Sequence, residues 1–174
     1  VSGLLDVMRA GHVALANAPG TGLADDKMIY SFVPKIIKYF LDEEPIIKNV
    51  ETYICYYEKD REYVLENLSK LVVKPANASG GYGIMIGPKA SDKEREEVAE
   101  KIRKNPREYI AQPLEILSTA PTITEKNIEP RHLDLRPFIL SGKTNYVTTG
   151  GLTRVALRKG LSLIHISEPT RLEL

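Results

Sequence analysis

LVVKPANASGGYGIMIG, residues 71–87, carries two apolar runs on either side of a segment of small and polar residues. The first run ends at Lys74, which is followed by proline, and the second resumes at Ile84. Three glycines around a single tyrosine lie between the two runs. Short apolar runs bounded by glycine and proline are typical of β-strands. The stretch therefore predicts two strands joined by a glycine-rich loop.

The loop itself has two interpretations. It is either the loose turn of a β-hairpin or a flexible loop that covers a phosphate group. Glycine lets backbone N–H groups approach phosphate oxygens with no Cβ in the way, and Lys74 would supply positive charge at the end of the first strand. The loop matches neither the Gly-x-x-x-x-Gly-Lys-Ser/Thr pattern nor the Gly-x-Gly-x-x-Gly pattern. Its spacing alone leaves both interpretations open.

The composition is that of a globular protein with no strong electrostatic preference. Of 174 residues, 43% are hydrophobic and 27% are charged, which predicts a packed core. Lys and Arg total 24 against 23 for Asp and Glu, so we expect neither nucleic acid nor a membrane surface as a partner. No apolar run approaches the roughly 18 residues of a membrane-spanning helix, and no signal-peptide pattern opens the chain.

The single cysteine, Cys55, excludes an internal disulfide and is typical of a reducing compartment, so we expect a cytoplasmic protein. It lies in a β-rich run, residues 52–57, where we expect a small buried apolar side chain. Because the chain begins with Val1 rather than methionine, we also expect it to be a piece of a longer protein.

Two helices are predicted before the glycine-rich loop. Asp25 is the expected N-cap of a helix over residues 28–41, which Pro34 should interrupt or kink. A shorter helix is expected over residues 60–68. Its apolar spacing puts two residues on one face, Val64 and Leu68.

A third helix follows the loop. Ser91 and Glu94 have the spacing of a capping box, in which a serine side chain and a glutamate side chain satisfy each other's backbone N–H groups. We expect the helix to end near Lys104. The residues predicted to face inward are Val98, Ala99 and Ile102.

The remaining apolar runs predict strands in antiparallel pairs. Strand, turn and strand succeed each other, which favours an α+β fold with antiparallel sheets over a doubly wound fold. The strands are predicted over residues 52–57, 71–74, 83–86, 109–112, 132–140, 146–148 and 155–157, with a turn at 141–143.

Several segments, in this order, resemble one family. VVKPANASGGYGI followed by YIAQPLEI resembles the core of the ATP-grasp fold. Upstream, DDKMIYSF is similar to the Asp-Lys helix start of that fold; downstream, HLDLRPFILSGK and GGLTRVAL are similar to two of its strands. With ANAPGTG ahead of the lysine, residues 1–160 resemble the circularly permuted ATP-grasp proteins of type 2.

The resemblance implies an incomplete ATP-grasp-like α+β fold, with antiparallel sheets and flanking helices. Residues 24–72 would belong to an N-terminal lobe and residues 73–160 to a nucleotide-binding lobe. The final segment, residues 161–174, instead resembles a translated sequencing-adapter read-through that recurs at the ends of unrelated chains. We interpret it as a non-native tail and assign no site residue to it.

The resemblance also implies roles for individual residues. Phosphate binding falls to Lys27, Lys74, Ser79, Gly80, Gly81 and Gly83. The backbone hinge beside the adenine would be Gln112, Pro113 and Leu114, and Asp134 would organise the nucleotide or the metal. Arg136 and Arg154 would act on the phosphates and the acyl substrate as catalytic residues. Asn17, with Leu15 and Ala16 where an acid is expected, would be the relic of a metal ligand.

Each of these residues also has a purely structural interpretation. The two lysines could be solvated, and Asp25 and Asp26 could be helix caps. Gln112 could be an ordinary edge-strand glutamine. Asp134 and Arg136 alternate with apolar neighbours, so they share one face of a strand, which could be a solvated face. His132 shares that face, and we expect it to form a hydrogen bond rather than to take part in catalysis.

The family resemblance implies an ATP-dependent carboxylate–amine ligase that uses ATP and Mg2+. A carboxylate would attack the γ-phosphate to give an acylphosphate, which an amine would displace, forming a peptide-like bond. Its substrates would be small-molecule or peptide carboxylates and amines. The chain itself would be an inactive fragment of such an enzyme. The alternative is a non-catalytic nucleotide-binding or protein-interaction module.

Overall fold

The computed structural model describes residues 2–17, 19–78, 81–124 and 127–156. The chain divides into two compact units. The first unit takes in the described residues of 1–77 and 85–113, and the second takes in those of 78–84 and 114–156. The lobe boundaries expected from the sequence and the tail assignment stay predictions; residues 157–174 lie outside the described part of the chain.

The first unit contains four helices and a four-stranded antiparallel sheet in the order β1-β4-β2-β3. The helices are α1 (Leu4–Arg9), α2 (Lys27–Leu41), α3 (Glu58–Glu66) and α4 (Asp92–Lys104). The strands are β1 (Tyr53–Ile54), β2 (Leu71–Pro75), β3 (Met85–Ile86) and β4 (Tyr109–Pro113). Short 3-10 helices cover Thr21–Asp25, Gly87–Lys89 and Pro106–Glu108.

The second unit is an antiparallel meander of three strands in the order β5-β6-β7. The strands are β5 (Thr119–Ile123), β6 (Ile128–Ser141) and β7 (Asn145–Val155). The pairing of β6 with β7 is irregular between Pro137 and Ile139. Together with the helices of the first unit, these sheets confirm the predicted α+β fold with antiparallel sheets.

The core of the first unit lies on one face of its sheet. Side chains alternate along a strand, so Leu71 and Val73 of β2 point into the core while Val72 and Lys74 point to the opposite face. Helices α3 and α4 cover the core face. Their buried residues there are Val64, Ala99 and Ile102. The sheet therefore carries Lys74 on the face away from the main core.

Cys55 is fully buried in this core, as predicted for a small apolar side chain. Burial raises the pKa of its thiol to about 12. The thiol therefore stays protonated at neutral pH, and the nucleophilic thiolate form is not populated.

Helix α4 confirms the capping box and the predicted inward face. The Ser91 side chain accepts a hydrogen bond from the Glu94 backbone N–H at 3.3 Å, and the Glu94 carboxylate accepts one from the Ser91 N–H at 2.7 Å. Ala99 and Ile102 are buried, and Val98 packs against the core. Helix α3 begins two residues earlier than predicted, at Glu58 instead of residue 60.

Helix α2 differs from the prediction at its N-cap and, of the interruption or kink expected at Pro34, shows no interruption. Asp26, not Asp25, is the N-cap: its carboxylate accepts a hydrogen bond from the Met28 N–H at 2.8 Å. The helix is not interrupted at Pro34 but continues to Leu41.

The continuity of α2 has a specific cause. Proline has no N–H, so Pro34 cannot donate to the carbonyl four residues earlier, that of Tyr30. The Asn49 side-chain amide donates to the Tyr30 carbonyl instead, at 2.7 Å. A residue outside the helix therefore satisfies the carbonyl that the proline leaves without its helical donor.

The strands differ from the sequence prediction mainly in length. Strand β1 is short because the chain turns into α3: the Ile54 N–H donates to the Asp60 carboxylate at 2.9 Å, and the Tyr57 N–H donates to the Ile54 carbonyl at 3.0 Å. Strand β3 starts after Gly83, whose backbone is left-handed. Strand β5, which contains Pro121, was not predicted. Val155 ends β7 instead of starting a separate strand.

None of the helices in the described ranges is both long enough and apolar enough to cross a membrane.

Replacement of Ile102 tests the core. Ile102 is fully buried, so Ile102→Ala should lower the free energy of unfolding by about 2–5 kcal/mol, because it leaves a cavity. Ile46 is 98% exposed, so the matched variant Ile46→Ala should change it by less than about 0.5 kcal/mol. Urea denaturation followed by circular dichroism measures both. Equal effects of the two variants would contradict the position of the core.

Candidate functional site

Two lysines from different elements are brought together in the first unit. Lys74 lies near the end of β2 and is half-buried, and Lys27 is the first residue of α2. The Lys27 backbone N–H donates to the Ala76 carbonyl at 2.9 Å, and its ammonium group donates to the same oxygen at 3.4 Å. Because Ala76 follows β2 directly, these two bonds tie the start of α2 to the end of the lysine-bearing strand.

The two lysines are electrostatically coupled. Burial lowers the pKa of Lys74, and the positive charge of Lys27 lowers it further. Burial also lowers the pKa of Lys27, against an opposing effect of the Asp26 carboxylate. Two ammonium groups in a partly buried place disfavour each other's charged form. The binding of phosphate by this pair stays a prediction.

Gln112 holds Lys74 in place. It lies on β4, an interior strand of the sheet, and is 8% exposed, so its interpretation as an ordinary edge-strand glutamine is wrong. Its side-chain oxygen accepts a hydrogen bond from the Lys74 ammonium group at 2.6 Å. Its side-chain nitrogen donates to the Thr52 hydroxyl at 2.8 Å. Thr52 in turn donates to the Val50 carbonyl at 3.0 Å.

Thr52 is a residue that the sequence prediction missed. It stands just before β1, where a threonine in a β-rich run is ordinary, and nothing in the local sequence relates it to a glutamine 60 positions later. Only the pairing of β1 with β4, in which Tyr53 lies opposite Ala111, brings the two side chains together.

The predicted hinge lies where the chain passes from the first unit to the second. Pro113 is the last residue of β4 and pairs with Leu71, and Leu114 is the first residue of the second unit to follow it. The side chain of Gln112 is hydrogen-bonded to Lys74 and Thr52, so a contact of this residue with adenine would have to be made by its backbone. That contact stays a prediction.

The described part of the glycine-rich loop has the backbone that glycine allows. Gly81 and Gly83 have φ angles of 80° and 70°, in the left-handed region where side chains with a Cβ are strained. Tyr82 between them is 77% exposed. The other two predicted loop residues, Ser79 and Gly80, lie outside the described residues, and the phosphate-binding role of the loop stays a prediction.

The second unit holds a separate cluster of charges on the paired strands β6 and β7. Asp134 lies directly opposite Arg154 in the register of the strands. The Arg154 Nε donates to both carboxylate oxygens of Asp134, at 3.1 and 2.9 Å, and its Nη2 donates to Oδ2 as well. Arg136, two residues along β6, has its Nε 3.9 Å from the same carboxylate. The structure thus confirms that Asp134 and Arg136 share a face.

These hydrogen bonds fix the charges of the cluster. The hydrogen bonds from Arg154 hold the pKa of the Asp134 carboxyl below its usual range, and Asp134 raises the pKa of the Arg154 guanidinium. Both oxygens of Asp134 are occupied by Arg154, so this carboxylate orients a cation. Asp134 therefore fixes the position of the Arg154 guanidinium group, and the catalytic role of Arg154 stays a prediction.

His132 forms the hydrogen bond that was expected of it. Its Nδ1 lies 2.7 Å from the Leu117 carbonyl oxygen, and because a carbonyl can only accept, Nδ1 carries the proton and donates. The bond ties the end of the segment before β5 to β6.

No group of three or more His, Cys, Asp or Glu residues that could hold a metal ion exists in the described part of the chain. Asn17, the predicted metal ligand, is exposed in the segment between α1 and α2. Its role stays a prediction.

Gly151 is a second residue that the sequence prediction missed. A Cβ at this position would lie 2.5 Å from the Arg136 carbonyl oxygen and 3.2 Å from the Pro137 Cα. The absence of a side chain therefore lets β7 approach β6 next to Arg136, beside the irregular pairing. The adjacent Gly150 faces open space. The signal in the sequence is the glycine pair inside a strand, which often marks a close backbone approach.

The two adjacent glycines provide a matched test. Gly151→Ala should force β6 and β7 apart, lower the free energy of unfolding by about 1–3 kcal/mol and shift the NMR signals of the Arg136 and Arg154 Nε–H groups. Gly150→Ala meets nothing within 4 Å, so it should leave those signals in place. Equal perturbation of the Arg154 signal by both variants would contradict the close approach at Gly151.

The Asp134–Arg154 pair predicts a dependence of stability on pH. A carboxyl group whose pKa is lowered by folding stabilises the protein above its unfolded pKa, about 3.9, and this contribution is lost as the pH falls through the folded pKa. Wild type should therefore lose more unfolding free energy than Asp134→Asn between pH 7 and pH 2. Asp42, 91% exposed and paired with Lys38, provides the control Asp42→Asn. The midpoint of urea denaturation, measured for each protein across this pH range, checks the prediction. It would be contradicted if the midpoints of wild type and Asp134→Asn changed with pH in parallel.

Comparison with known proteins identifies a family for this chain. The family model described as circularly permuted ATP-grasp type 2 matches residues 1–156. An uncharacterized protein of Synechocystis sp. is 58% identical over 169 residues, which is 97% of this chain and 35% of that protein. An uncharacterized protein of Mycobacterium tuberculosis is 48% identical over 169 residues, 97% of this chain and 31% of that protein.

A third relative has a name that states an activity. It is a protein of Frankia casuarinae, provisionally named glutamate–cysteine ligase 2-2, which is 44% identical over 153 residues, 88% of this chain and 18% of that protein. The chain spans about a third of the length of the first two relatives and less of the third. The match of the family model over most of the sequence shows that this chain belongs to the circularly permuted ATP-grasp type 2 family.

Proposed function

We propose that this chain is the nucleotide-binding part of an ATP-dependent ligase that joins a carboxylate to an amine through an acylphosphate. The observation that carries the proposal is the convergence of Lys27 and Lys74: the backbone N–H and ammonium groups of Lys27 donate to the Ala76 carbonyl, two residues after Lys74, and the positive charge of Lys27 lowers the pKa of Lys74. Family membership supports ATP as the anion that this pair would bind.

The chemistry requires fixed positive charge. A substrate carboxylate attacks the γ-phosphorus of ATP, the bond to the β-phosphate oxygen breaks, and ADP leaves. An amine then attacks the acyl carbon, loses a proton and displaces phosphate. Carboxylate and triphosphate repel each other, so cations must be in place before the first step. Loss of one such preorganised donor costs on the order of 3 kcal/mol of transition-state stabilisation.

The proposed roles are those that the family resemblance implies for individual residues. Lys27 and Lys74 would bind phosphate oxygens in the first unit. Arg154, oriented by Asp134, and Arg136 would bind the transferred phosphoryl group or the acyl substrate. The backbone of Gln112, Pro113 and Leu114 would bind adenine, and the loop of Ser79, Gly80, Gly81 and Gly83 would cover the phosphates.

Mg2+ would neutralise phosphate charge in such an enzyme, where it is usually held by one or two carboxylates together with phosphate oxygens of the substrate. The described residues contain no group of three or more His, Cys, Asp or Glu residues that could hold a metal ion. Asp134 already accepts hydrogen bonds from Arg154 on both oxygens. We therefore derive no step through the metal from this chain.

The Frankia relative supports the reaction class. A ligase with its name joins the carboxylate of one amino acid to the amine of another, which is the bond type proposed here. Because the chain corresponds to 18% of that protein, the likeness supports a carboxylate–amine ligase and does not assign glutamate or cysteine as substrates.

A second candidate function is that of a nucleotide-binding or protein-interaction module without turnover. The observation that favours it is a set of large apolar side chains exposed at the end of α2 and in the segment that follows. Exposed apolar surface of this kind is typical of interaction sites. The residues are Tyr39, Phe40, Leu41, Ile46 and Ile47.

Titration with Mg-ATP tests the proposed site. At 100 times its dissociation constant, a ligand that binds only the folded state adds about 2.7 kcal/mol of stability. Wild type should therefore show a rise in melting temperature of several degrees. Lys74→Ala should abolish most of this rise, because it removes a phosphate-binding charge. Differential scanning calorimetry with and without nucleotide measures the effect.

Lys101→Ala serves as the matched control, since Lys101 is exposed on α4, and α4 packs on the face of the sheet opposite to Lys74. It should keep the full response to Mg-ATP. A folded wild type that gives no response would contradict nucleotide binding by this chain. A normal response without acylphosphate formation, assayed as ADP release from the full-length protein with added carboxylates and amines, would favour the second candidate.

A further inference from the structure

The lysine that the proposed function places on phosphate stands at the end of a chain of hydrogen bonds. The Lys74 ammonium donates to the Gln112 side-chain oxygen at 2.6 Å, the Gln112 amide donates to the Thr52 hydroxyl at 2.8 Å, and that hydroxyl donates to the Val50 carbonyl at 3.0 Å. The chain links β2, β4 and the segment before β1.

Only one direction of donation is possible along this chain. An ammonium group can only donate, so the Gln112 side chain must turn its oxygen toward Lys74. Its NH2 group then faces Thr52, which must accept there. The hydroxyl proton of Thr52 is free to go to the Val50 carbonyl, which can only accept. Each group therefore fixes the orientation of the next, and the last acceptor is a backbone atom that cannot rotate away.

The Gln112 side chain is a neutral amide, and this determines the net charge around Lys74. A carboxylate there would orient Lys74 as well, but it would cancel the positive charge that an anion needs. The charged group that faces Lys74 from α2 is Lys27, whose own neighbour is Asp26. From β4 the neutral Gln112 faces it. The site thus orients the ammonium group while keeping its net charge for a ligand.

We propose that Thr52 is a positioning residue: its hydroxyl fixes the Gln112 side-chain amide, and through it the Lys74 ammonium group, in the orientation that binds a nucleotide phosphate. The inference rests on the proposed function for the identity of the ligand. The hydrogen-bond chain that carries it does not depend on any ligand.

Removal of the Thr52 hydroxyl has a defined expected effect. Thr52→Val keeps the branched shape of the side chain but leaves a Gln112 N–H group without its acceptor, which is costly for a buried amide. The amide then rotates, and Lys74 loses its oriented oxygen. Since a hydrogen bond to the charged form favours that form, the pKa of Lys74 should fall further in this variant.

The experiment combines two readouts on the whole chain. NMR titration of the Lys74 ε-carbon without ligand, assigned with Lys74→Arg, reports the protonation midpoint. Calorimetric titration with Mg-ATP from pH 7 to pH 10 reports affinity. In Thr52→Val we expect the Lys74 midpoint to move to lower pH and the affinity to fall about tenfold, with the loss growing toward alkaline pH. Thr52→Ser, which restores a hydroxyl, should keep both values near wild type.

Two further variants separate positioning from structural damage. Gln112→Glu should raise the Lys74 midpoint and still weaken Mg-ATP binding, because the carboxylate cancels charge. Thr119→Val, at an exposed threonine of β5, should change neither readout. Thr52→Ala replaces Thr52→Val if the valine variant does not fold.

The outcomes distinguish this inference from the proposed function. An unchanged Lys74 midpoint in folded Thr52→Val, with wild type binding Mg-ATP, overturns the positioning role alone. A uniform loss of affinity at all pH values, not rescued by Thr52→Ser, overturns it too. Failure of the wild type to bind Mg-ATP overturns the proposed function. It also excludes the nucleotide as the ligand that the hydrogen-bonded Lys74 would bind.

Discussion

The hydrogen bond from the backbone N–H of Lys27 to the Ala76 carbonyl is the constraint on which the lysine pair of the first unit depends. Helix α2 has no buried residue of its own, and this bond fixes its first residue at the end of β2. The two lysines follow from it, because one opens the helix and the other lies two residues before the carbonyl. The electrostatic repulsion between the two ammonium groups therefore follows from the fold. The packing of the rest of the unit must offset its unfavourable free energy.

The two units orient their cations in opposite ways. In the first unit a neutral amide holds Lys74, so its charge stays available and its pKa is lowered. In the second unit a carboxylate holds Arg154, which rigidifies the guanidinium and reduces its net field. Lysine suits the first arrangement because its ammonium group can respond to a ligand by changing its protonation. Arginine suits the second because its planar donors match a carboxylate and it never loses its charge.

Features that depend on neighbours in the sequence could be predicted, and features that depend on distant residues could not. The capping box of α4 and the shared face of Asp134 and Arg136 follow from spacings of two or three residues. The link between Thr52 and Gln112 joins side chains 60 positions apart and needs the sheet pairing. The continuity of α2 through Pro34 could not be predicted either. The effect of a proline is judged from the residues next to it, whereas the compensating donor, Asn49, lies beyond the end of the helix. The family resemblance predicted Lys27 and Lys74 as site residues, but it did not predict the hydrogen bonds that hold them.

Asn49 and Val50 link the middle of α2 to the support of Lys74. The Asn49 amide donates to the Tyr30 carbonyl, which Pro34 leaves without its helical donor, and the Val50 N–H donates to the hydroxyl of Tyr30 at 2.8 Å, while the Val50 carbonyl ends the chain from Lys74. A displacement of this short segment would therefore remove a donor from the proline-containing helix and the last acceptor of the lysine's hydrogen-bond chain at the same time.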